Sequence, residues 1–287
     1  MQRFKAILLV LAAATSVQAG ASVAKSLFPT LGPPGVVWLR LLLGSIALWV
    51  AARPELRKRP WRELRLVVAL GVVLVSMNVS FYESIDRLPL GVAVTVEFLG
   101  PLLVATVSSR RKLDLLWVGF AGLGVALLAH GGGTGGGFHP LGLALAGLAG
   151  LCWALYITLS VPVGRVFPGA SGLAPAMLIG AILITPWGIA SAGSHLRDPQ
   201  LVGAAAGVGL LSSALPWSLE LEALRRLPTN VFGVALALEP AIAALMGSVF
   251  LHEHLDATAW VAIALVVVAS AGAALEITRE RTVPPEA

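Results

Sequence analysis

The sequence predicts an all-α integral membrane protein of ten transmembrane helices, arranged as two inverted five-helix repeats. Three observations predict this. First, 57% of the 287 residues are hydrophobic and only 12% are charged, with a mean hydropathy of +0.87. A soluble domain carries about 25% charged residues, so lipid must be the solvent for most of this chain. Second, one spacing recurs. Arg87-Leu88-Pro89 and Arg226-Leu227-Pro228 are the same tripeptide 139 residues apart (226 − 87), and the offset also maps Pro60 onto Pro199, Glu83 onto Glu222 and Pro101 onto Pro240. It carries Phe28-Pro29 onto Phe167-Pro168 and Ser109 onto Ser248. Third, the basic residues are one-sided when the apolar segments are threaded back and forth. Of the 20 lysines and arginines, 16 fall in loops on the N-terminal side, only Arg87 and Arg197 fall opposite, and Lys25 and Arg40 lie within helices.

A helix that spans a bilayer needs about 20 mostly apolar residues. Five such segments occupy 5–27, 35–52, 64–85, 90–108 and 113–130, and five more occupy 141–161, 174–192, 201–221, 231–251 and 258–275. The first begins like a secretion signal: Arg3 and Lys5 precede an apolar run that reaches Val17-Gln18-Ala19, a small-residue pattern of the cleaved kind. Its apolar character runs on to Leu27, and it has a counterpart ending at Phe167-Pro168, so it is expected to stay as the first span. The glycine-rich stretch 131–138 is the expected linker between a first repeat at 1–130 and a second at 139–277, with 278–287 as a tail. Five helices is an odd number, so the second copy must enter the membrane from the opposite face. The positive-inside rule then puts both termini in the cytoplasm. The same asymmetry accounts for the net charge of +5 without nucleic acid: these charges hold topology.

Charged side chains at membrane depth cost about 2.5–3.5 kcal/mol each on insertion scales, so those that occur line cavities or pair. Five qualify: Lys25, Arg40, Glu97, Glu220 and Glu239. Lys25, late in the first helix, Arg40, early in the second, and Glu97, about 10 Å into the fourth at 1.5 Å per residue, are expected in the outer half. There they form either a structural salt bridge or a site for a zwitterion, with cations for a carboxylate and a carboxylate for an ammonium group. Three anions against two cations leave one carboxylate that must bind a proton or a cation, which suits a proton-coupling group. Glu83 and Glu222 each precede an arginine by four residues, so pairing with Arg87 and Arg226 near a helix end explains them. Asp86, Asp114 and Asp256 read as helix caps, and Cys152, the single cysteine, as a small buried residue.

Pro101 and Pro240 occupy matching positions of the two repeats, and each has an acid close by, Glu97 four residues earlier and Glu239 immediately before. Pro216 stands four residues before Glu220. Proline inside a helix removes a hydrogen bond and kinks it, so these three are candidate hinges. Gln18, Asn78, Tyr82, Trp153, Tyr156 and Ser213 are the uncharged polar candidates for a cavity, although hydrogen bonding between helices explains each one alone equally well.

At these residues the chain resembles a known family. The ten-helix duplicated plan resembles the drug/metabolite transporter superfamily with its EamA domains. Longer strings look closer still to bacterial inner-membrane threonine/homoserine exporters. They are Gly20-Ala21-Ser22-Val23-Ala24-Lys25-Ser26-Leu27-Phe28-Pro29, Pro89-Leu90-Gly91-Val92-Ala93-Val94, Glu97-Phe98-Leu99-Gly100-Pro101-Leu102, Ser108-Ser109-Arg110-Arg111, Leu215-Pro216-Trp217-Ser218-Leu219-Glu220 and Arg226-Leu227-Pro228-Thr229. The resemblance covers nearly the whole chain. It implies a bacterial inner-membrane exporter of small neutral amino acids, driven by proton entry, with Gln18, Lys25, Arg40, Asn78, Glu97, Glu220 and Glu239 in family-like strings. It implies no cofactor, no metal and no enzymatic activity, and it allows a homodimer. Glu83 and Glu222 stand where the family is expected to be apolar. His252-Glu253-His254 departs from the usual Gly-Glu-Thr and reads as a solvated turn.

The residues also bear on other functional classes. No Gly-x-x-x-x-Gly-Lys-Ser/Thr pattern appears, so energy must come from an ion or substrate gradient. Buried glutamates and aromatics would also serve a lipophilic cation, against which Lys25 and Arg40 count. A metalloenzyme would need His130, His139, His252 and His254, which lack the His-Glu-x-x-His spacing. A channel would have little use for a carboxylate that changes protonation. The expected mechanism is alternating access, two repeats rocking around a midplane cavity.

Overall fold

Residues 2–54, 56, 59–108, 112–131 and 138–282 are described by a computed structural model, and among them there is no strand. Thirteen α-helices follow one another among the described residues: α1 (Gln2–Ser26), α2 (Phe28–Ala52), α3 (Trp61–Arg87), α4 (Leu90–Glu97), α5 (Leu99–Ser108), α6 (Lys112–Gly131), α7 (Pro140–Val166), α8 (Leu173–Ala192), α9 (Pro199–Gly209), α10 (Leu215–Leu224), α11 (Thr229–Leu236), α12 (Glu239–Phe250) and α13 (Ala257–Thr282). Nine stretches among the described residues are long and apolar enough to cross a membrane, with α4–α5, α9–α10 and α11–α12 each joining into one. A tenth apolar helix, Leu116–His130, is shorter. Most of the predicted linker, Ser109-Arg110-Arg111, Arg57 and Lys58, and the end of the tail lie outside the described residues. So do the side chains of Asp114, Trp217, Arg279 and Arg281.

The punctuation is local chemistry. Proline disfavours helix in the residue before it: Leu88 is extended ahead of Pro89, ends α3, and lets α4 start at Leu90. Arg226-Leu227-Pro228 separates α10 from α11 in the same way. The bounds of α4 and α11 differ by the sequence offset at both ends (229 − 90 and 236 − 97 are both 139). Asp198 accepts from Gln200 N at 2.8 Å and caps α9, and Asp256 accepts from Ala259 N at 2.8 Å and caps α13. Asp86, expected as a cap, is exposed near the end of α3 and lies 3.9 Å from Arg87. The pairs expected on the helix surface are present, Glu83 with Arg87 at 2.6 Å and Glu222 with Arg226.

α7 runs on to Val166 and α13 to Thr282, past their predicted ends, and two other elements differ in geometry. The second starts at Phe28 rather than 35, because the chain stays helical up to a kink at Gly32 (φ 67°) and resumes through Pro33 and Pro34. Only glycine holds that φ without strain, and Ser191 of α8 donates to the Leu31 carbonyl that the kink frees, at 2.9 Å. The 201–221 span carries a π-helical turn at Leu210–Ala214 between α9 and α10. An extra residue in a helical turn leaves carbonyls without their usual donors. Ser16 of α1 binds the Leu211 carbonyl at 2.7 Å and Arg40 of α2 binds that of Ser212 at 3.3 Å.

The proline kinks are helix breaks. α4 stops at Glu97 and α5 restarts at Leu99, two residues before Pro101; α11 stops at Leu236 and α12 restarts at Glu239, just before Pro240. Pro216 is the second residue of α10, directly after the π turn. Helices pack across the chain halves, α2 on α8, α3 on α7 and α4 on α12. Small residues let backbones touch: a Cβ on Gly91 would lie 2.6 Å from the Ala244 Cα, and one on Gly150 2.7 Å from the Glu97 carbonyl oxygen. The largest fully buried side chains are Tyr82, Phe167, Leu31, Leu41 and Ile85.

Candidate functional site

A cavity of about 390 Å³ lies where these breaks meet. α1 supplies Gln18, α2 Arg40, α3 Asn78, α7 Trp153 and Tyr156, the π turn Ser212 and Ser213, and α10 Glu220. Glu97 and Glu239 enter from the two helix breaks, and Pro101 and Pro216 share the lining with them. Met77, Phe81, Leu173, Met177 and Leu236 complete an apolar wall. Cavities of about 300–1,000 Å³ with a few convergent polar groups are typical of small-molecule sites.

Arg40 is held rigidly. Its Nη1 donates to Asn78 Oδ1 at 2.7 Å and to Tyr82 Oη at 3.0 Å, its Nη2 donates to the Ser212 carbonyl, and the guanidinium lies 5.4 Å from the centre of the Tyr82 ring. Asn78 is oriented in turn by donating to the Leu74 carbonyl at 2.8 Å. Gln18 Nε2 donates to Glu239 Oε1 at 2.8 Å, with both residues buried. Three carboxylates therefore share the cavity with one cation, Arg40, among the described lining residues. Arg40 Nε, Gln18 Oε1 and Ser212 Oγ are buried there without a hydrogen-bond partner among the described residues. A buried polar atom without a partner costs about 1–3 kcal/mol, so this cluster offers a donor, an acceptor and a hydroxyl to a polar guest. Trp153 stands edge-on to Phe98, centroids 5.1 Å apart, and closes the cavity beside the first break.

Of the residues singled out in the sequence, Gln18, Arg40, Asn78, Glu97, Trp153, Tyr156, Ser213, Glu220, Glu239, Pro101 and Pro216 line this cavity. Tyr82 stands behind Arg40, fully buried, and Pro240 is buried outside the lining. Lys25 does not meet Arg40 and Glu97 as expected. Its Nζ donates to Glu253 Oε1 at 2.6 Å and to the Leu88 carbonyl at 2.7 Å. The turn at 252–254 is correspondingly not fully solvated: the Glu253 side chain is 12% exposed. Sequence reasoning missed Glu253, whose partner lies 228 residues away, and Ser212, whose carbonyl is presented by a π turn with no sequence signature. Cys152 is buried and unpaired.

Comparison with known proteins gives consistent relatives. A model of the EamA-like transporter family matches residues 4–130 and again 140–275. The threonine/homoserine exporter RhtA of Salmonella typhimurium LT2 is 44% identical over 275 residues, covering 96% of this chain and 92% of its own. RhtA of Escherichia coli K12 is 43% identical over the same coverage. The uncharacterized transporter YwfM of Bacillus subtilis is 25% identical over 79% of each chain. A chain in a solved crystal structure aligns over 97% of this chain and 99% of its own with a TM-score of 0.65 and 21% identity, a likeness of fold.

Proposed function

The chain belongs to the EamA-like transporter family, and on that premise we propose that it exports small neutral amino acids of the threonine/homoserine type from the cytoplasm, by proton antiport with alternating access. The observation that carries this is the cavity itself: one immobilised arginine opposite three carboxylates, in a space of about 390 Å³. A zwitterion meets such a site with its carboxylate toward Arg40 and its ammonium toward Glu97, Glu220 or Glu239. Two relatives 43–44% identical over most of the chain are threonine/homoserine exporters, and the site chemistry suits that cargo.

In this reading the molecule is a multi-pass protein of the bacterial inner membrane with both termini in the cytoplasm. Ten helices form two inverted repeats, 1–130 and 139–277. The family model's two matches and the equal offset of α4 and α11 support that division. The acids outnumber the cation, so a carboxylate that gives up its proton as cargo binds would couple the two fluxes. Helix breaks at Phe98 and at Ala237-Leu238, with the π turn at Leu210–Ala214, are the candidate hinges.

The excess of acid also favours a second cargo class, a lipophilic cation. Tryptophan fluorescence of the purified protein separates the two, with Trp153→Phe as the control that identifies its share among the eight tryptophans. Saturable quenching by threonine or homoserine that is lost in Arg40→Met supports the zwitterion site. Quenching by a lipophilic cation alone, retained in Arg40→Met, overturns it in favour of the second class.

A further inference from the structure

Above the cavity stands a cluster that its chemistry does not use. Lys25, in the last turn of α1, is 21% exposed and donates to Glu253 Oε1 and to the Leu88 carbonyl. The other oxygen of Glu253 accepts from Leu90 N at 2.8 Å, the first N–H of α4. Glu253 is fixed by its own backbone as well: its N–H donates to the Gly247 carbonyl at 3.1 Å, and its carbonyl accepts from Ser248 Oγ at 3.1 Å. His252 turns the chain with φ 54°, a conformation rare outside glycine. A side chain on Gly247 would meet the Glu253 carboxylate. One ion pair thus ties α1 and the α3–α4 junction to the α12–α13 loop.

Its position relates it to the cavity. Lys25 is seven residues beyond Gln18 on α1, and Leu90 is seven residues before Glu97 on α4. Both separations are about 10 Å along a helix. The pair therefore ties helices together two turns above the polar cluster, at the end opposite the N-terminus. The other end is joined by apolar packing. There, Ala6 and Val10 pack on Ala223, Leu227 and Ala235, and Val67 and Leu70 pack on Val163, Phe167 and Ala176. The 139-residue offset carries Lys25 onto Gly164 and Glu253 onto Asp114 (253 − 139), so the second half lacks the lysine needed for a matching pair.

We infer that Lys25 and Glu253 are gating residues: a one-sided ionic lock that shuts the cavity from the extracytoplasmic side and must part each time cargo leaves. This rests on the topology and alternating access proposed above. A partly exposed ion pair suits the task. Water can rehydrate both charges as the helices separate, so opening is reversible, and each charge alone favours the open state. Neutralising either partner shifts the population toward the outward-open form.

The test uses the full-length protein in intact cells, with Val17, which lines the cavity beside Gln18, replaced by cysteine (Val17→Cys) as the reporter and Cys152→Ala to remove the native thiol. A membrane-impermeant maleimide is added outside. Lys25→Met and Glu253→Gln are each expected to raise the labelling rate about tenfold, a factor that corresponds to about 1.4 kcal/mol of population shift. The double variant is expected to label no faster than the quicker single one, since both break one lock. The same substitutions with Cys152 as the only thiol are expected to leave that buried thiol protected. Unchanged labelling of the reporter in both single variants makes the pair a static brace and overturns the inference. An equal rise at Cys152 means general loosening and overturns it too. A rise confined to inside-out vesicles places the lock on the cytoplasmic face and overturns the topology. Labelling needs no cargo, so a wrong amino-acid assignment would leave this result standing.

Discussion

Gly150 and Gly147 lie on the same helix, one turn apart, and the same substitution should separate them in stability. A Cβ at Gly147 meets nothing within 4 Å, whereas one at Gly150 lies 2.7 Å from the Glu97 carbonyl oxygen and 3.3 Å from the Glu97 Cα. Those are backbone atoms at the end of α4, which no rotamer change can remove. Restoring an ordinary contact of 3.4 Å requires a shift of 0.7 Å (3.4 − 2.7). Overpacking of this kind costs about 1–3 kcal/mol, while alanine gains about 1 kcal/mol over glycine in a helix. The helix gain is common to both variants and cancels in their difference. Gly150→Ala is therefore expected to be about 1–3 kcal/mol less stable than Gly147→Ala, a gap of roughly 2–12 °C in Tm at about 2–4 °C per kcal/mol. Thermal unfolding of both variants in one detergent reads it directly. The displaced break carries Glu97, so Gly150→Ala should also lose transport while Gly147→Ala keeps it. Equal melting temperatures, or a lower one for Gly147→Ala, would refute the claim that α7 bears on the helix break by backbone contact.

Arg40→Met leaves Asn78 Oδ1 and the Ser212 carbonyl without their donor; at about 1–3 kcal/mol per buried acceptor the variant should melt measurably earlier, and KM for amino-acid export should rise about tenfold or more. Arg40→Lys keeps the charge but not the planar fork and should recover only part of that loss in the same export assay. Asp256→Ala removes the cap on Ala259 N and should cost about 0.5–2 kcal/mol in a melt, with the export rate of the folded protein unchanged. Glu222→Ala breaks surface pairs with Arg225 and Arg226 and should shift stability by no more than about 1 kcal/mol, again by melting.

Much of the architecture was legible because it is written in one-residue signals. Arg87-Leu88-Pro89 and Arg226-Leu227-Pro228 place the starts of α4 and α11, and the prolines after Glu97 and Glu239 mark the two helix breaks. The acids themselves stood out because charge within an apolar run is rare. Rotation was not legible. A helix that is apolar all round gives no periodic stripe from which to tell its inner face, so Lys25 looked as well placed as Arg40 to reach Glu97. Its partner Glu253 comes from a loop at the far end of the chain, and only tertiary packing sets that pairing. The π turn that presents the Ser212 carbonyl to Arg40 has no composition of its own. Gly32-Pro33-Pro34 reads as a break, yet α2 is helical on both sides of the kink because Ser191 answers the freed Leu31 carbonyl.

The most direct test of the central claim is counterflow in proteoliposomes. Vesicles holding purified protein are loaded with unlabelled threonine or homoserine, labelled amino acid is added outside, and a pH gradient is imposed in each direction. The account predicts transient accumulation of label whose size follows the gradient, with the gradient response lost in Glu97→Gln or Glu239→Gln. Accumulation that ignores the gradient in the unmodified protein, or no counterflow with any small amino acid from protein that melts cooperatively, would contradict it.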